Sequence, residues 1–253
     1  MLVRLRMKIF GLLFLVYALL WAKTKTNSDR TVLIYKTHID DDNQHKRGAE
    51  LSNTFGNDFV VVWDNKRIPK CPFHKVFCVD DIQISETKQF DWLGLANEKA
   101  ITWAIRNRAT FKRVWFMEED VYYTHASILK GIVQFNYTRD LVLQYRPTPI
   151  PHPNHPQSQK IIKQWRAFDE KVKPYSVLLN FWSATREMLA GLEHIYIQNN
   201  HTWMYMEGLV PTAVHYLNIS YGGWRGHFNH LQTQLQFRPC ITTFPKPGIY
   251  HPV

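Results

Sequence analysis

The amino-acid sequence predicts an α/β fold in which a mostly parallel central sheet is flanked by helices. The main observation is the order of segments in the first half, where short apolar, β-branched runs alternate with helical ones. The second is that acidic residues directly follow several of these runs. The third is a length of 253 residues with 45% hydrophobic and 14% aromatic content, which is ample for a sizeable core.

The strands predicted in the first half are continuous apolar runs, which is typical of strands buried on both faces. Residues 31–36 read TVLIYK, residues 59–63 read FVVVW and residues 75–79 read KVFCV. A fourth run, Val114–Met117, lies within the stretch KRVWFMEEDVYYT at residues 112–124. Parallel strands need crossover connections, and helical segments lie between the runs.

The predicted helix between the first two strands spans residues 46–55, and the clearest helix spans residues 91–108, with Asp91 as its N-cap. The second half predicts fewer strands and a loop, residues 146–159, that holds five prolines. The elements predicted after the fourth strand are helix 127–135, strand 140–145, helix 160–172, strand 175–181, a helix from Ser183 as its cap to Leu192, and helix 204–217.

Three consecutive acids, Glu118, Glu119 and Asp120, end the fourth strand abruptly, and Tyr122 and Tyr123 follow. Carboxylates at the end of a buried strand are costly to desolvate and repel each other. A divalent cation with a phosphate-bearing ligand would offset that cost, because hard cations prefer oxygen ligands. The alternative is a strand that simply runs into an acidic, solvated loop.

Other acids also follow strands, and ligands of parallel sheets bind beyond the carboxyl ends of the strands. Asp64 follows the second strand, and Asp80–Asp81 follow the third, where a structural role is expected. For Asp40–Asp42 the expected role is a turn or a helix cap. A zinc role for His227 and His230 has little support, and the chain contains no G-x-S-x-G, Walker A or G-x-G-x-x-G motif.

The N-terminus predicts entry into the secretory pathway. A basic leader precedes residues 9–22, IFGLLFLVYALLWA, which contain no charged residue and match a signal-peptide core or a signal anchor. Three Asn-X-Ser/Thr sequons, at Asn136, Asn200 and Asn218, are compatible with a luminal body. In that oxidising space Cys71, Cys78 and Cys240 allow at most one intramolecular disulfide, whose pairing stays open.

The formal charge of +10 overstates how basic the folded part is, because half of the excess lies in residues 1–30. The mild remainder contains no long Lys/Arg run. It favours phosphate-bearing small molecules or acidic glycans over nucleic acid as partners.

With this leader, these sequons and the acid triplet, the chain resembles type II Golgi glycosyltransferases of the GT-A fold, whose first half is Rossmann-like. The family signature is a DXD-type motif that holds a divalent metal, usually manganese, against the diphosphate of a nucleotide-sugar. Glu118-Glu119-Asp120 matches it and is similar to the E-D-D variant of some N-acetylglucosaminyltransferases, although two Glu stand where Asp is commoner. The resemblance implies that Asp120 is the first metal ligand and that Glu118 or Glu119 binds ribose or a metal-bound water.

Further residues are assigned by the same resemblance. The ending Tyr250-His251 is similar to a segment that supplies a second metal ligand, so His251 is the expected one. The helix with Asn97 and Lys99 resembles the helix beside the donor site, and residues 206–212 resemble the acceptor-side helix, which makes Glu207 the candidate base. The strand-end residues Thr37, His38 and Asp64 complete the expected nucleotide-sugar site.

The expectation is therefore a glycosyltransferase, transferring a hexose or N-acetylhexosamine from a UDP-sugar with Mn²⁺ or Mg²⁺. The acceptor would be a hydroxyl of a glycan or glycoprotein. Residues 1–30 would form the anchor and stem, and residues 31–253 one luminal catalytic domain, with a nucleotide-sugar half to residue 145 and an acceptor half from residue 146. Trp182, Trp203 and Trp224 could stack on sugars or belong to the core. The alternatives are a metal-dependent phosphate-ester hydrolase and a non-catalytic glycan-binding module.

Overall fold

A seven-stranded mixed sheet forms the centre of the protein. The computed structural model describes residues 29–37, 41–63, 77–79, 95–150, 153–228, 232–234 and 248–250. The strands of this sheet are β1 (Thr31–Thr37), β2 (Phe59–Trp63), β3 (Phe77–Val79), β4 (Arg113–Glu118), β6 (Leu141–Leu143), β9 (Phe181–Thr185) and β10 (Tyr221–Gly223). Their order across the sheet is β10-β6-β9-β4-β1-β2-β3.

Two small sheets and six α-helices complete the described part. One small sheet has three strands in the order β11 (Gln232–Gln234), β12 (Gly248–Tyr250) and β5 (Tyr122–Tyr123). The other pairs β7 (Thr148–Pro149) with β8 (Tyr175–Ser176). The helices are α1 (Asp42–Phe55), α2 (Leu95–Asn107), α3 (Ala126–Gln134), α4 (Pro156–Phe168), α5 (Arg186–Gln198) and α6 (Met206–Tyr216).

The chain order around β1 creates a topological switch point. From β1 the chain moves outward through the parallel strands β2 and β3, and it then returns through α2 to β4 on the other side of β1. Crossover connections leave the two neighbouring strands in opposite directions there, so a crevice opens at their carboxyl ends. The mostly parallel α/β architecture predicted from the sequence is thereby confirmed.

Alternate residues of β1 serve two separate cores, as the period-two geometry of a strand requires. Val32 and Ile34 pack on the face covered by α2, α4, α5 and α6, whereas Leu33 and Tyr35 pack on the face covered by α1 and α3. Helices on both faces explain why the strands are continuously apolar.

The predicted boundary between the strand at 175–181 and the helix from Ser183 to Leu192 is wrong. Residues 181–185 form β9, antiparallel to β4 and β6, and Ser183 is buried within it. Phe181 and Trp182 stack on Trp115 and Phe116 of β4, with ring centroids 4.6 and 4.3 Å apart. These cross-strand stacks hold FWSAT in the sheet, and Thr185 is the residue that caps α5.

Other element boundaries shift by a few residues. Asp41 accepts from the backbone N–H of Gln44 at 2.8 Å, which confirms the capping role expected for the Asp40–Asp42 cluster and starts the first helix at Asp42 rather than residue 46. Pro156 lies in the first turn of α4, because a fixed φ suits that position, so this helix begins inside the proline-rich stretch. The strand expected at 140–145 covers only Leu141–Leu143.

Trp182, Trp203 and Trp224 are core residues. All three side chains are buried, and Trp203 stacks on Tyr196 with centroids 4.4 Å apart. They are therefore not exposed to stack on a sugar. No helix among the described residues is long and apolar enough to cross a bilayer. The leader at 9–22 and the residues Asp91, Cys71, Cys240 and His230 lie outside the described residues.

We expect Asp41→Ala to lower the free energy of unfolding by about 1 kcal/mol, because the N–H that Asp41 satisfies at the start of α1 loses its acceptor. The matched control is Asp42→Ala, one residue further on, where an exposed acid is removed without loss of the cap. Chemical denaturation of both variants measures the difference. Equal destabilisation by the two substitutions would contradict the assigned cap.

Candidate active site at the carboxyl edge of the sheet

A buried ion pair joins the ends of the two strands at the switch point. Lys36 of β1 and Glu118 of β4 are register partners, and Lys36 Nζ lies 3.1 Å from Glu118 Oε1. The Lys36 side chain is 1% exposed, whereas that of Glu118 is 25% exposed. A buried ammonium needs such a partner, since removing an isolated charge from water is very costly.

Two amide side chains complete the surroundings of the Glu118 carboxylate. Asn97 of α2 donates to Oε1 at 3.4 Å and also accepts a short hydrogen bond from Lys36 Nζ. Asn180, just before β9, donates to Oε2 at 2.8 Å, and its carbonyl accepts from the Glu118 N–H at 3.0 Å. Both oxygens of Glu118 are therefore held by protein donors, so its position is fixed.

The two following acids lie in a tight turn, in which the Val121 N–H donates to the Glu118 carbonyl at 3.2 Å. Burial raises the pKa of Glu119 to about 7, opposed by a backbone hydrogen bond and reinforced by the charges of Asp120 and Glu118. Oδ1 of Asp120 is shielded from solvent. Two carboxylates so close together disfavour each other's charge, and a cation there would relieve that repulsion.

Arg47 of α1 holds this turn in place. Its guanidinium donates to the carbonyl of Val121 at 2.7 Å and to that of Glu119 by a shorter bond, one on each side of Asp120. The same guanidinium lies 4.3 Å above the ring of Tyr122, a favourable cation–π contact. One planar side chain thereby fixes the backbone that carries Asp120.

The C-terminal segment reaches the same place. β12 pairs antiparallel with β5, so that Tyr250 lies opposite Tyr122 and Ile249 opposite Tyr123. Ile249 is fully buried, which anchors the pairing. The described chain therefore ends, at Tyr250, beside the residue two positions after Asp120.

Glu207 lies in the first turn of α6, close to the acid cluster. The Tyr205 hydroxyl donates to Glu207 Oε2 at 2.9 Å. Burial raises the pKa of Tyr205, followed by the charge of Glu207 and its hydrogen bond, and the charge of Glu118 adds to the effect. Tyr205 is thus near both carboxylates. Its own position is fixed by α4, where Gln164 Oε1 accepts from its N–H at 2.9 Å.

The donor set at this edge fits a divalent cation in its chemistry. Asp120 and Glu119 offer carboxylate oxygens, the ligands that hard cations prefer, on a turn whose charges repel each other. Glu118 is engaged by Lys36, Asn97 and Asn180, and no cluster of three His, Cys, Asp or Glu side chains suited to a metal occurs among the described residues.

The structure brings together four of the predicted site residues: Glu118, Glu119, Asp120 and Asn97. Glu207 contacts Tyr205, whose pKa is also affected by the charge of Glu118. Thr37 is fully buried at the end of β1, next to Lys36. Lys99 projects from another side of α2 than Asn97, because a helix turns by about 100° per residue. His38, Asp64 and His251 lie outside the described residues, and so do Asp80–Asp81.

Lys36, Asn180, Arg47 and Tyr205 were missed by the sequence reasoning. Lys36 had a signal, since a lysine closes an otherwise apolar strand on the same face as Val32 and Ile34. For Asn180 and Arg47 the sequence offered no signal, because their roles depend on hydrogen bonds to residues 62 or more positions away. Tyr205 was hidden by its position just outside the predicted motif.

No protein-family model matches the chain, and no curated protein matches it. Among solved structures, one of a mycobacterial protein matches 80% of this chain and 68% of its own at 12% identity, with a TM-score of 0.44. The galactosyltransferase LgtC, solved with donor and acceptor sugar analogues, matches 81% of this chain and 76% of its own at 8% identity, with a TM-score of 0.41. Mouse xyloside xylosyltransferase 1 matches 79% and 90% at 10% identity, with a TM-score of 0.38.

We expect Glu119→Gln to stabilise the metal-free protein more at pH 8 than at pH 5. The usual pKa of 4.5 describes the unfolded chain and a pKa of about 7 the folded one, so the folded state holds more protons between these values. Its stability therefore falls as the pH rises through this window, and the full effect is at most about 3 kcal/mol. Glutamine cannot ionise, so the variant avoids the cost of ionising a buried Glu119.

Thermal unfolding of wild type and variant at the two pH values, with a chelator present, measures the difference in stability. The exposed Glu170→Gln is the control. A difference that does not change with pH would contradict the assignment.

Proposed function

We propose that this protein is a metal-dependent glycosyltransferase, which moves a sugar from a UDP-sugar to a hydroxyl of a glycan or glycoprotein. The observation that carries the proposal is the acid turn Glu118–Asp120 at the switch point between β1 and β4, with Glu207 on the same edge. A switch point is where open α/β sheets bind nucleotides. Because the acid motif resembles that of GT-A enzymes, we take the nucleotide to be a nucleotide-sugar.

Asp120 and Glu119 would hold Mn²⁺ or Mg²⁺, with His251 as a further ligand. The β5–β12 pairing supports His251, because it places Tyr250, the residue before His251, opposite Tyr122, which is two positions after Asp120. When bound, the cation would offset the negative charge of the leaving nucleoside diphosphate. Lys36 adds a fixed positive charge beside Glu118. It compensates the charge of one of the three adjacent carboxylates.

Glu207 would act as the general base. Its carboxylate would take the proton of the acceptor hydroxyl as the oxygen attacks the anomeric carbon of the donor and the bond to the diphosphate breaks. Tyr205 orients the Glu207 carboxylate by donating to its Oε2. Tyr205 supports this role, since its hydroxyl binds Glu207 and its pKa is raised by burial first and, to a smaller extent, by the charges of Glu207 and Glu118.

The proposed location is the lumen of the secretory pathway, with residues 9–22 as a signal anchor or signal peptide and the Golgi membrane as the expected site. The uncharged apolar run and its basic flanks support this. Whether the donor carries a hexose or an N-acetylhexosamine would be decided by side chains around the sugar, which a nucleotide-sugar screen would identify.

We expect Asp120→Asn to abolish manganese-dependent UDP binding while the fold survives, because the amide cannot supply a charged oxygen to the cation. Isothermal titration of UDP, with and without manganese, measures the effect. The matched control is Asp42→Asn, an exposed acid of α1 that should leave the affinity unchanged. Retained metal-dependent binding in Asp120→Asn would refute the site, and turnover of a generic phosphate ester would favour a hydrolase instead.

We expect Glu207→Gln to lower kcat by a factor of about 10² or more, with UDP binding intact, because the base is lost and the donor site is not. Tyr205→Phe should lower kcat less, since the carboxylate remains but loses its orienting hydrogen bond. Donor-sugar transfer to a screened acceptor measures both, and Glu193→Gln on α5 is the control for a distant acid. Normal turnover in Glu207→Gln would remove it as the base.

A further inference from the structure

We infer that Asn136 carries an N-linked glycan whose first sugar packs on the exposed ring of Phe135. This modification is separate from the proposed transfer reaction; it rests only on the proposed entry into the secretory pathway. The sequon Asn136-Tyr137-Thr138 follows α3, whose last residue is Gln134. The structure supplies three independent features there: an exposed Asn136, a buried Tyr137 that anchors the turn, and the exposed ring of Phe135 next to them.

The backbone places Asn136 at the apex of a tight turn. The Tyr137 N–H donates to the Phe135 carbonyl at 3.0 Å, a three-residue turn with Asn136 at its centre. Asn136 and Thr138 are exposed, and Tyr137 between them is buried. Both sequon side chains that matter for glycosylation therefore face solvent, while the residue between them anchors the turn.

Tyr137 fixes this turn to the sheet. Its carbonyl accepts from Arg113 at 3.5 Å, and the Arg113 guanidinium lies 5.8 Å from the centre of the Tyr137 ring. Arg113 is itself buried and donates to Ser183 at 2.9 Å. The turn is consequently attached to β4 and β9, so a glycan on it would have a defined starting direction.

Phe135 presents the apolar surface. It is 40% exposed, although its ring packs 4.6 Å from that of His227, 4.9 Å from that of Tyr137 and 5.6 Å from that of Phe228. These contacts hold the ring but leave one side in water. The apolar face of a sugar on the neighbouring residue would cover that side, as aromatic rings commonly do for amphipathic partners.

Space for the glycan is available next to the turn. An open cavity of about 570 Å³ is lined by Asn136, Tyr137 and Thr138 together with Lys112, Asp140 and Glu187. The charged and polar side chains in this lining suit the hydroxyls of a sugar.

The chemistry requires a lipid-diphosphate-linked oligosaccharide as donor, which a transferase of the secretory lumen uses as its substrate. The side-chain nitrogen of Asn136 forms a bond to C1 of the first sugar. The bond between C1 and the diphosphate oxygen breaks, the lipid diphosphate leaves, and one proton of the amide nitrogen passes to a base of the transferase. The Thr138 hydroxyl is the part of the sequon that the transferase reads.

The test is site occupancy in the full chain made in cultured animal cells. Release of N-glycans in heavy-oxygen water labels each formerly glycosylated asparagine, and peptide mass spectrometry identifies it. We expect the label at Asn136 in the wild type and in Thr138→Ser, which keeps the sequon, and its loss in Thr138→Ala, which removes only the hydroxyl function. An unlabelled Asn136 in the wild type overturns the inference.

The other two sequons tell the possible failures apart. If Asn200 or Asn218 is labelled and Asn136 is not, the chain reaches the lumen and only the assignment of Asn136 is wrong. If none is labelled, secretory entry fails as well. Neither result bears on UDP binding and turnover, which are measured separately.

A second measurement tests the contact with Phe135. Trimming the glycan to one sugar and comparing the Tm with that of the fully deglycosylated protein should show a rise of about 2 °C in the wild type. The rise should disappear in Phe135→Ala and in Phe135→Leu, which retains apolar bulk without the ring. An equal rise in all three proteins overturns the packing.

Discussion

The ion pair between Lys36 and Glu118 is the constraint on which the rest of the candidate site depends. It lies where β1 and β4 end side by side, and it joins Glu118, the last residue of β4, to Lys36, the penultimate residue of β1. Breaking a buried pair by removing one partner leaves an uncompensated charge and is strongly destabilising. Asn97 and Asn180 bring α2 and the start of β9 to the same carboxylate, so one charge interaction connects four elements.

The acid turn follows directly after this ion pair. Glu118 is held by side chains, Glu119 and Asp120 form the turn, and Arg47 donates to the backbone carbonyls on both sides of Asp120. The restraints act on opposite faces of the sheet, since Asn97 comes from α2 and Arg47 from α1. Protein contacts therefore hold the turn in place, and its neighbouring carboxylates repel each other, a repulsion that a cation would relieve.

The sequence allowed the central sheet to be predicted because its strands are buried on both faces and read as unbroken apolar runs, as β1, β2 and β4 do. It failed at β9, where Ser183 interrupts such a run; the serine is tolerated because its hydroxyl accepts from Arg113, a partner 70 residues away. The acids and Asn97 were found from local pattern and resemblance. Arg47 and Asn180 were not, because a residue that acts through one long-range hydrogen bond leaves no local pattern.

The proposed glycan and the proposed chemistry use opposite ends of the same strand. Arg113 begins β4 and holds the turn of Asn136, whereas Glu118 ends β4 and begins the acid turn. Five residue steps of a strand separate them by about 17 Å. Because β4 is a central strand with neighbours on both sides, this distance is rigid. A sugar packed on Phe135 would therefore leave the donor crevice open, and its effect on stability would reach the active site only through the sheet that both ends share.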